Sequence, residues 1–171
     1  WSDGPITWWS PDPRAVFPLD GLHVSRSLAR TIRRGVFRVT FDTAFPRVIE
    51  GCAAARPKRE ETWISPAFVE AYTRLHALGW AHSVECWQGD RLAGGLYGVA
   101  IGAWVGGESM CSAERDASKV AMTRLVDEAL RTGIELIDCQ LPTPHLASLG
   151  ATALPRADFL AAVARLTAAA V

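Results

Sequence analysis

The chain has 171 residues, of which 49% are hydrophobic and 21% charged, and its basic and acidic side chains are equal in number. This balance is ordinary for a soluble globular protein and predicts one domain, or one domain plus a fragment. No apolar run approaches the roughly 18 residues that a membrane span needs, which excludes a membrane-spanning protein.

The net charge of zero conceals an asymmetry along the chain. Residues 1–59 hold ten Arg or Lys against five Asp or Glu, whereas residues 60–171 hold eight against thirteen. The first part therefore carries +5 and the second −5. One part can favour a polyanion and the other a cation.

The four cysteines are scattered without C-x-x-C spacing, so we expect no zinc or other metal site and a reduced, cytoplasmic setting. They are Cys52, Cys86, Cys111 and Cys139. We expect all four to be small buried side chains. Because the chain begins at Trp1 with neither Met nor a basic leader, we also expect a missing upstream segment and no signal peptide.

The first 35 residues combine a loop with a short basic helix. Pro11 and Pro13 predict that residues 8–14 form a structured loop. Ser25 is a typical N-cap and Gly35 a typical stop, which predicts a helix between them. We therefore divide the chain into residues 1–35, a remnant or linker of an N-terminal region that carries this helix, and residues 36–171, the main domain.

Four arginines share one face of that helix, because Arg26, Arg30, Arg33 and Arg34 follow at i, i+4, i+7 and i+8. Guanidinium groups bind phosphate oxygens through paired hydrogen bonds, so the stripe predicts a site for RNA. The alternative is a solvated face of an ordinary surface helix.

The middle of the chain predicts a strand, two helices and two further strands, separated by a polar loop at residues 56–61 and a turn at 88–90. The strand covers 38–42, the helices 44–54 and 65–78, and the further strands 82–87 and 91–100. A turn at Ile101-Gly102 then leads into a third strand, which completes a three-stranded meander.

Residues 104–140 predict a βαβ unit, in which apolar side chains recur at helical spacing until Gly133. The flanking strands run from Trp104 into Glu108 and from Ile134 into Asp138. If these strands are parallel, both acids lie at the same carboxyl-terminal edge, where open α/β sheets usually bind ligands.

A short helix at 145–149, a strand at 151–154 and a helix at 156–170 complete the predicted elements. The whole order predicts an α+β fold, a mixed sheet flanked by helices. It resembles the N-acetyltransferase (GNAT) superfamily, which holds coenzyme A in a Gly-rich loop. Residues 110–119 contain no glycine and two acids at that place, so coenzyme A is disfavoured and no cofactor is expected.

A closer resemblance rests on many short motifs in order, from the first residues to Pro155-Arg156. They are Trp8-Trp9-Ser10-Pro11-Asp12-Pro13-Arg14, Leu22-His23-Val24-Ser25-Arg26-Ser27, Val48-Ile49-Glu50-Gly51-Cys52, Glu61-Thr62-Trp63-Ile64, Glu70-Ala71-Tyr72, Gly94-Gly95-Leu96-Tyr97-Gly98, Gly107-Glu108-Ser109-Met110, Ala117-Ser118-Lys119 and Ile137-Asp138-Cys139-Gln140. Together they resemble the leucyl/phenylalanyl-tRNA-protein transferases, whose usual N-terminal subdomain is missing here.

The resemblance implies an aminoacyltransferase with a GNAT-like catalytic domain at 36–171. Such an enzyme moves leucine or phenylalanine from Leu-tRNA or Phe-tRNA onto proteins that begin with Arg or Lys, and so marks them for degradation. It also implies a cytoplasmic protein, and we expect a monomer without a membrane partner. Two alternatives remain, an inactive tRNA-binding remnant and a coenzyme A-dependent N-acyltransferase.

The transfer needs positioning more than a covalent nucleophile, because an aminoacyl ester is already activated. Holding the amine against the ester can supply roughly 7–11 kcal/mol. The attacking amine must be neutral, since an α-ammonium with a pKa near roughly 7.7–8.0 has no lone pair.

Three residues at the strand ends are the catalytic candidates. Asp138 and Gln140 are two residues apart, so in extended geometry they point to one side, where Asp138 can orient or polarise the Gln140 amide. The resemblance assigns both to the transfer and puts Glu108 near the aminoacyl group or the acceptor. Alternatively, Asp138 caps a turn and Glu108 is a satisfied loop carboxylate.

The resemblance also implies an apolar pocket for the donor side chain. Its matched positions are Leu96, Ser109, Met110, Met122, Leu125, Ile137 and Trp63. An unbranched thioether adapts to either leucine or phenylalanine. For Met122 and Leu125 taken singly, packing between helix and sheet is the alternative.

Overall fold

The computed structural model describes residues 9–54 and 62–168. Trp1, Trp8 and the polar loop predicted at 56–61 lie outside the described residues. Within them, no helix is long and apolar enough to cross a lipid bilayer.

The described residues form a seven-stranded mixed sheet with the strand order β2-β3-β4-β5-β6-β1-β7. The strands are β1 (Arg14–Phe17), β2 (Arg38–Phe41), β3 (Ala81–Gln88), β4 (Arg91–Ile101), β5 (Trp104–Ser112), β6 (Leu136–Gln140) and β7 (Thr152–Leu154). β5 and β6 are parallel and every other neighbouring pair is antiparallel. The predicted meander and the predicted parallel pair are both confirmed.

Six α-helices in the described residues cover the sheet. They are α1 (Arg26–Arg33), α2 (Phe45–Ala53), α3 (Pro66–Ala77), α4 (Ala117–Thr132), α5 (Pro144–Ala147) and α6 (Arg156–Thr167). The Ser25 and Ser65 hydroxyls accept hydrogen bonds from the first turns of α1 and α3. Gly133 ends α4 with φ +81°, a conformation that glycine adopts without steric cost. The cap predicted at Ser25, the helix predicted to begin at residue 65 and the stop predicted at Gly133 are confirmed.

Two apolar clusters build the core. Phe17, Leu28, Ile137 and Val126 belong to the cluster that includes α4, whereas Tyr97 packs in the cluster that includes α2 and α3. Helices therefore pack against a mixed sheet, which confirms the predicted α+β class.

β1 was not predicted, because the prolines before it indicated a loop. Residues 14–17 instead form the strand between β6 and β7, antiparallel to both. Phe17 is fully buried and Leu28 is 1% exposed, and both belong to the cluster that includes α4. In the described chain, residues on both sides of residue 35 thus share one sheet and one core.

The ends of β5 and β6 differ from the prediction in a way that shapes the site. β5 continues to Ser112, so Glu108 lies within a strand, and β6 begins at Leu136 and includes Gln140. The two strands pair only from Trp104 with Leu136 to Gly106 with Asp138. Beyond Gly106, β5 pairs with β4 alone, whereas β6 pairs with β1.

Candidate active site

A bulge lies on each strand just past the point where β5 and β6 separate. On β5, Ser109 pairs with Tyr97 and Gly107 with Gly98, so Glu108 is the extra residue. On β6, Asp138 and Gln140 pair with adjacent residues of β1, so Cys139 is the extra residue. Bulges bend a strand and change where its side chains point, and they are frequent beside active sites.

Gln140 does not continue the extended backbone that was predicted, because its φ is +64°. This left-handed conformation costs an ordinary residue roughly 1–2 kcal/mol. The Gln140 backbone N–H donates to Asp138 Oδ1 at 2.8 Å. This hydrogen bond forms an Asx-turn, which stabilises such a bend. The Asp138 carboxylate thus contacts the backbone of Gln140, whereas the prediction was that it contacts the Gln140 side-chain amide.

Asp138 is 1% exposed and is held by Arg14 at the start of β1. Arg14 Nε donates to Oδ1 at 2.9 Å and Nη2 to Oδ2 at 2.7 Å, a bidentate pair of the strong type. The guanidinium also lies 4.9 Å from the centre of the Phe159 ring of α6. Sequence reasoning missed Arg14, since its partner is 124 residues away and only the sheet brings them together.

The Tyr72 hydroxyl of α3 and the Gln140 side-chain amide face the Glu108 carboxylate from their donor sides and lower its pKa. Burial raises the pKa of Glu108 above that of an ordinary glutamate and Asp138 adds to the rise, while these two donors and Arg14 oppose it. The pKa of Tyr72 is also raised, first by burial and then by Glu108, so the phenol remains a donor. Tyr72 is a second residue to which sequence reasoning gave no role.

A cavity of about 280 Å³ opens beside Glu108, small among ligand pockets. Five of the seven predicted pocket residues line it, namely Leu96, Ser109, Met110, Met122 and Leu125. Tyr97, Gly107, Cys139, Thr143, His145 and Leu146 complete its described lining. An apolar wall with one carboxylate at its edge suits an apolar side chain attached to a polar, reactive group.

The structure places the other two predicted pocket residues elsewhere. Ile137 is 1% exposed within the cluster that includes α4, and on a strand its side chain points away from the face of its neighbour Asp138. Trp63 is 39% exposed and packs edge-on against Phe68, with 5.4 Å between the ring centres.

Cys139 and His145 are titratable groups of the cavity lining that were not predicted to line it. Burial raises the pKa of Cys139 to about 12, with a further contribution from Asp138, so the thiol stays protonated. Burial and the nearby Lys119 lower the pKa of His145. Cys52, Cys86 and Cys111 are buried as expected, whereas Cys139 is partly exposed at the cavity.

The basic helix presents all four predicted arginines to solvent. Arg26, Arg30, Arg33 and Arg34 are exposed, and none forms an ion pair with another described residue. The stripe therefore remains a cationic surface.

The turn before α4 does not resemble an anion site. Asp116 lies at the N-cap position of this helix with φ +67°, without a capping hydrogen bond from its side chain, and its carboxylate accepts a hydrogen bond from Thr31 at 3.5 Å. A negative group at a helix N-terminus satisfies the helix dipole and repels a phosphate from the same place. In the described part of the chain, no group of three His, Cys, Asp or Glu side chains is arranged to hold a metal ion.

Comparison with known sequences shows the family of this chain. The sequence model of the leucyl/phenylalanyl-tRNA protein transferase family matches residues 16–164. The chain belongs to this family. Membership makes it an aminoacyltransferase of the leucyl/phenylalanyl-tRNA protein transferase type.

Individual relatives in the leucyl/phenylalanyl-tRNA protein transferase family match nearly the whole chain. The transferase of Anaeromyxobacter sp. (strain Fw109-5) is 57% identical over 164 residues, which cover 95% of this chain and 70% of that protein. The transferase of Stutzerimonas stutzeri (strain A1501) is 54% identical over 160 residues, covering 94% and 71%.

Two solved structures are similar at low sequence identity. A conserved protein of unknown function from Bacteroides thetaiotaomicron superposes with a TM-score of 0.54 at 12% identity, covering 82% of this chain and 55% of that one. That likeness concerns the fold alone. A protein described as a GNAT-family acetyltransferase from Desulfovibrio desulfuricans gives a TM-score of 0.40 at 16% identity, covering 58% and 71%.

Proposed function

We propose that this protein transfers leucine or phenylalanine from an aminoacyl-tRNA to the N-terminal amine of an acceptor protein. The observation that carries the proposal is that the Gln140 amide faces the Glu108 carboxylate at the edge of an apolar cavity. Family membership supplies the aminoacyl chemistry, and the cavity supplies a place for the amino-acid side chain.

In the proposed reaction the acceptor amine attacks the ester carbonyl carbon, the new C–N bond forms, and the bond to the ribose oxygen breaks. Glu108 takes the proton that the amine loses, and the leaving ribose oxygen receives it. A carboxylate whose pKa is raised by burial is a stronger base than an exposed one, which favours this role.

Gln140 is proposed to hold the attacking amine. Its side-chain N–H is proposed to face Glu108, so its carbonyl oxygen remains the acceptor end of the amide. That polarity suits an amine N–H, and the bound geometry removes part of the entropic barrier to attack. Asp138 is proposed to act by fixing the turn that presents Gln140.

Donor selection is proposed to rest on the cavity. The apolar wall of the cavity consists of unbranched or γ-branched side chains, those of Met110, Met122 and Leu125. Such a wall accommodates leucine and phenylalanine more readily than a β-branched side chain. Ile137 and Trp63 remain candidates only for indirect roles in this proposal, because neither contributes to the described cavity wall.

The uneven charge along the chain is proposed to help recruit both substrates. The exposed arginines of α1 are proposed to contact tRNA phosphates, and the excess of acids after residue 59 is proposed to favour acceptors that begin with Arg or Lys. The transferred residue is proposed to mark the acceptor for degradation by a cytoplasmic protease, and the enzyme to act as a monomer.

The test is transfer of labelled leucine from Leu-tRNA to a protein with N-terminal Arg, compared with the same protein bearing N-terminal Ala. We expect transfer to the first and little to the second. Binding of Leu-tRNA without transfer to either would leave an inactive tRNA-binding remnant, and acyl transfer from acyl-coenzyme A would replace the proposal.

A further inference from the structure

We propose that Arg14 is the positioning residue of this site, which sets the Asp138 carboxylate so that the bent Gln140 backbone points its side chain at Glu108. The inference rests on the proposed function for its kinetic consequence, but its structural consequence is measurable without any transfer. Arg14 contacts no reacting group in this account and acts through Asp138.

The hydrogen bonds that the Asp138 carboxylate accepts indicate its role. Oδ1 accepts from both Arg14 Nε and the Gln140 backbone N–H, and Oδ2 accepts from Arg14 Nη2. With three donors on a side chain that is 1% exposed, Asp138 is an anchor and not a proton acceptor. The guanidinium fork fixes both oxygens, so it also fixes the direction in which Oδ1 meets Gln140.

Arg14 is itself held by its surroundings. It begins β1, whose backbone pairs on one side with β7 and on the other with β6 across the bulge at Cys139. Its guanidinium lies over the buried Phe159 ring. A cation fixed by a strand and an aromatic ring is a rigid support for the turn at Gln140.

The charge of Arg14 also reaches Glu108. Among the described residues, the titratable and charged groups that interact with Glu108 are Tyr72 from α3, Tyr97 from β4, Asp138 from β6 and Arg14 from β1, and Cys139 and His145 line the same cavity. Among these, Arg14 supplies the positive charge, and it lowers the pKa of Glu108 while Asp138 raises it. Removing the guanidinium therefore raises the pKa of Glu108 and moves the acid side of the pH-rate profile to higher pH.

Two substitutions distinguish the effect of the paired guanidinium hydrogen bonds of Arg14 from the effect of its positive charge. Arg14→Lys keeps the charge but offers no planar pair of donors, whereas Arg14→Gln removes the charge as well. Arg131→Gln is the matched control, because Arg131 binds Glu128 through the same two nitrogens at 3.0 and 2.6 Å on the surface of α4.

Hydrogen exchange of the Gln140 backbone amide is measured first, by NMR on the folded proteins. We expect exchange to become about tenfold faster in both Arg14 variants, since the acceptor of that N–H is no longer fixed, and to be unchanged in Arg131→Gln. Exchange within about twofold of the wild type in folded Arg14→Gln would overturn the proposal, whatever the transfer assay shows.

Transfer kinetics are measured second on the same proteins. We expect kcat to fall roughly tenfold to a thousandfold in both Arg14 variants with little change in KM for Leu-tRNA. The acid limb of the pH-rate profile should move to higher pH in Arg14→Gln and should stay near its wild-type position in Arg14→Lys. Faster exchange at Gln140 in the Arg14 variants, together with no transfer by the wild type, would support the positioning role and refute the proposed function. Faster exchange together with an unchanged kcat and pH profile would overturn the role of Arg14 in transfer.

Discussion

Glu108 and Gln140 each lie two residues beyond the last pair of β5 and β6, Gly106 and Asp138, and their side chains face each other. Two parallel strands that separate at this point hold a carboxylate and an amide across the gap. In a continuous pairing the space between the strands would be closed by backbone hydrogen bonds. The separation therefore leaves room for an ester and an amine to meet.

The first prediction concerns Asp138 and Gln140 as one unit. Asp138→Asn and Gln140→Ala should each lower the single-turnover rate roughly tenfold to a thousandfold. The first weakens the turn that positions the Gln140 side-chain amide, and the second removes that amide. The double variant should be little worse than either single variant. Rates are compared per folded molecule, since Asp138→Asn leaves Arg14 without its carboxylate at a cost of roughly 3–5 kcal/mol. Fully additive losses would show that the two residues act separately.

The second prediction concerns the cavity. Met110→Ala should raise KM for Leu-tRNA and Phe-tRNA, because it removes apolar contact worth roughly 1–3 kcal/mol from the donor side chain. Leu130→Ala is the control, since Leu130 is 61% exposed on α4. Unaltered KM and kcat for both donors would show that Met110 only packs the core.

The third prediction concerns the basic helix. Changing Arg30 and Arg33 together to Ala should weaken tRNA binding and reduce the slope of log K against log salt by about one to two units, because each phosphate contact adds nearly one. Arg165→Ala removes an arginine from α6 and should leave the slope alone. The same slope in the α1 variant and the wild type would leave these arginines as a solvated face.

The fourth prediction concerns stability. The pKa of Glu108 is raised in the folded chain, so its stabilising contribution is present below the unfolded pKa and is lost as pH rises through the folded pKa. At neutral pH the ionised carboxylate thus opposes folding, and Glu108→Gln should raise Tm at pH 7 but not at pH 4. Glu50→Gln, an exposed change on α2, is the control. A Tm gain equal at both pH values would point to a cause other than ionisation.

Local signals predicted much of the fold. Ser25, Ser65 and Gly133 act on neighbouring residues, so the positions of α1, α3 and α4 follow from the sequence alone. The alternation and turns of residues 82–110 likewise predicted the meander. These features depend on interactions over a few residues, which sequence patterns record.

The rest depended on pairing between distant residues. β1 has four residues after two prolines, and it becomes a strand because β6 and β7 are on either side of it. The bulges at Glu108 and Cys139 exist only relative to a partner strand, and Gln140 with its positive φ directly follows the second of them. The site residues were thus predictable as candidates, whereas the way Arg14 and Asp138 hold them was not.

The most direct test of the account is the single-turnover rate of leucine transfer from Leu-tRNA to a protein with N-terminal Arg, measured between pH 5 and pH 9 for the wild type and Glu108→Gln. We predict a wild-type rate that falls as Glu108 becomes protonated, at a pH above the usual range of glutamate, and a Glu108→Gln rate that is roughly a hundredfold lower and lacks this limb. Binding of Leu-tRNA should be similar in both proteins. A Glu108→Gln protein with the wild-type rate and profile would contradict the proposed role of this carboxylate.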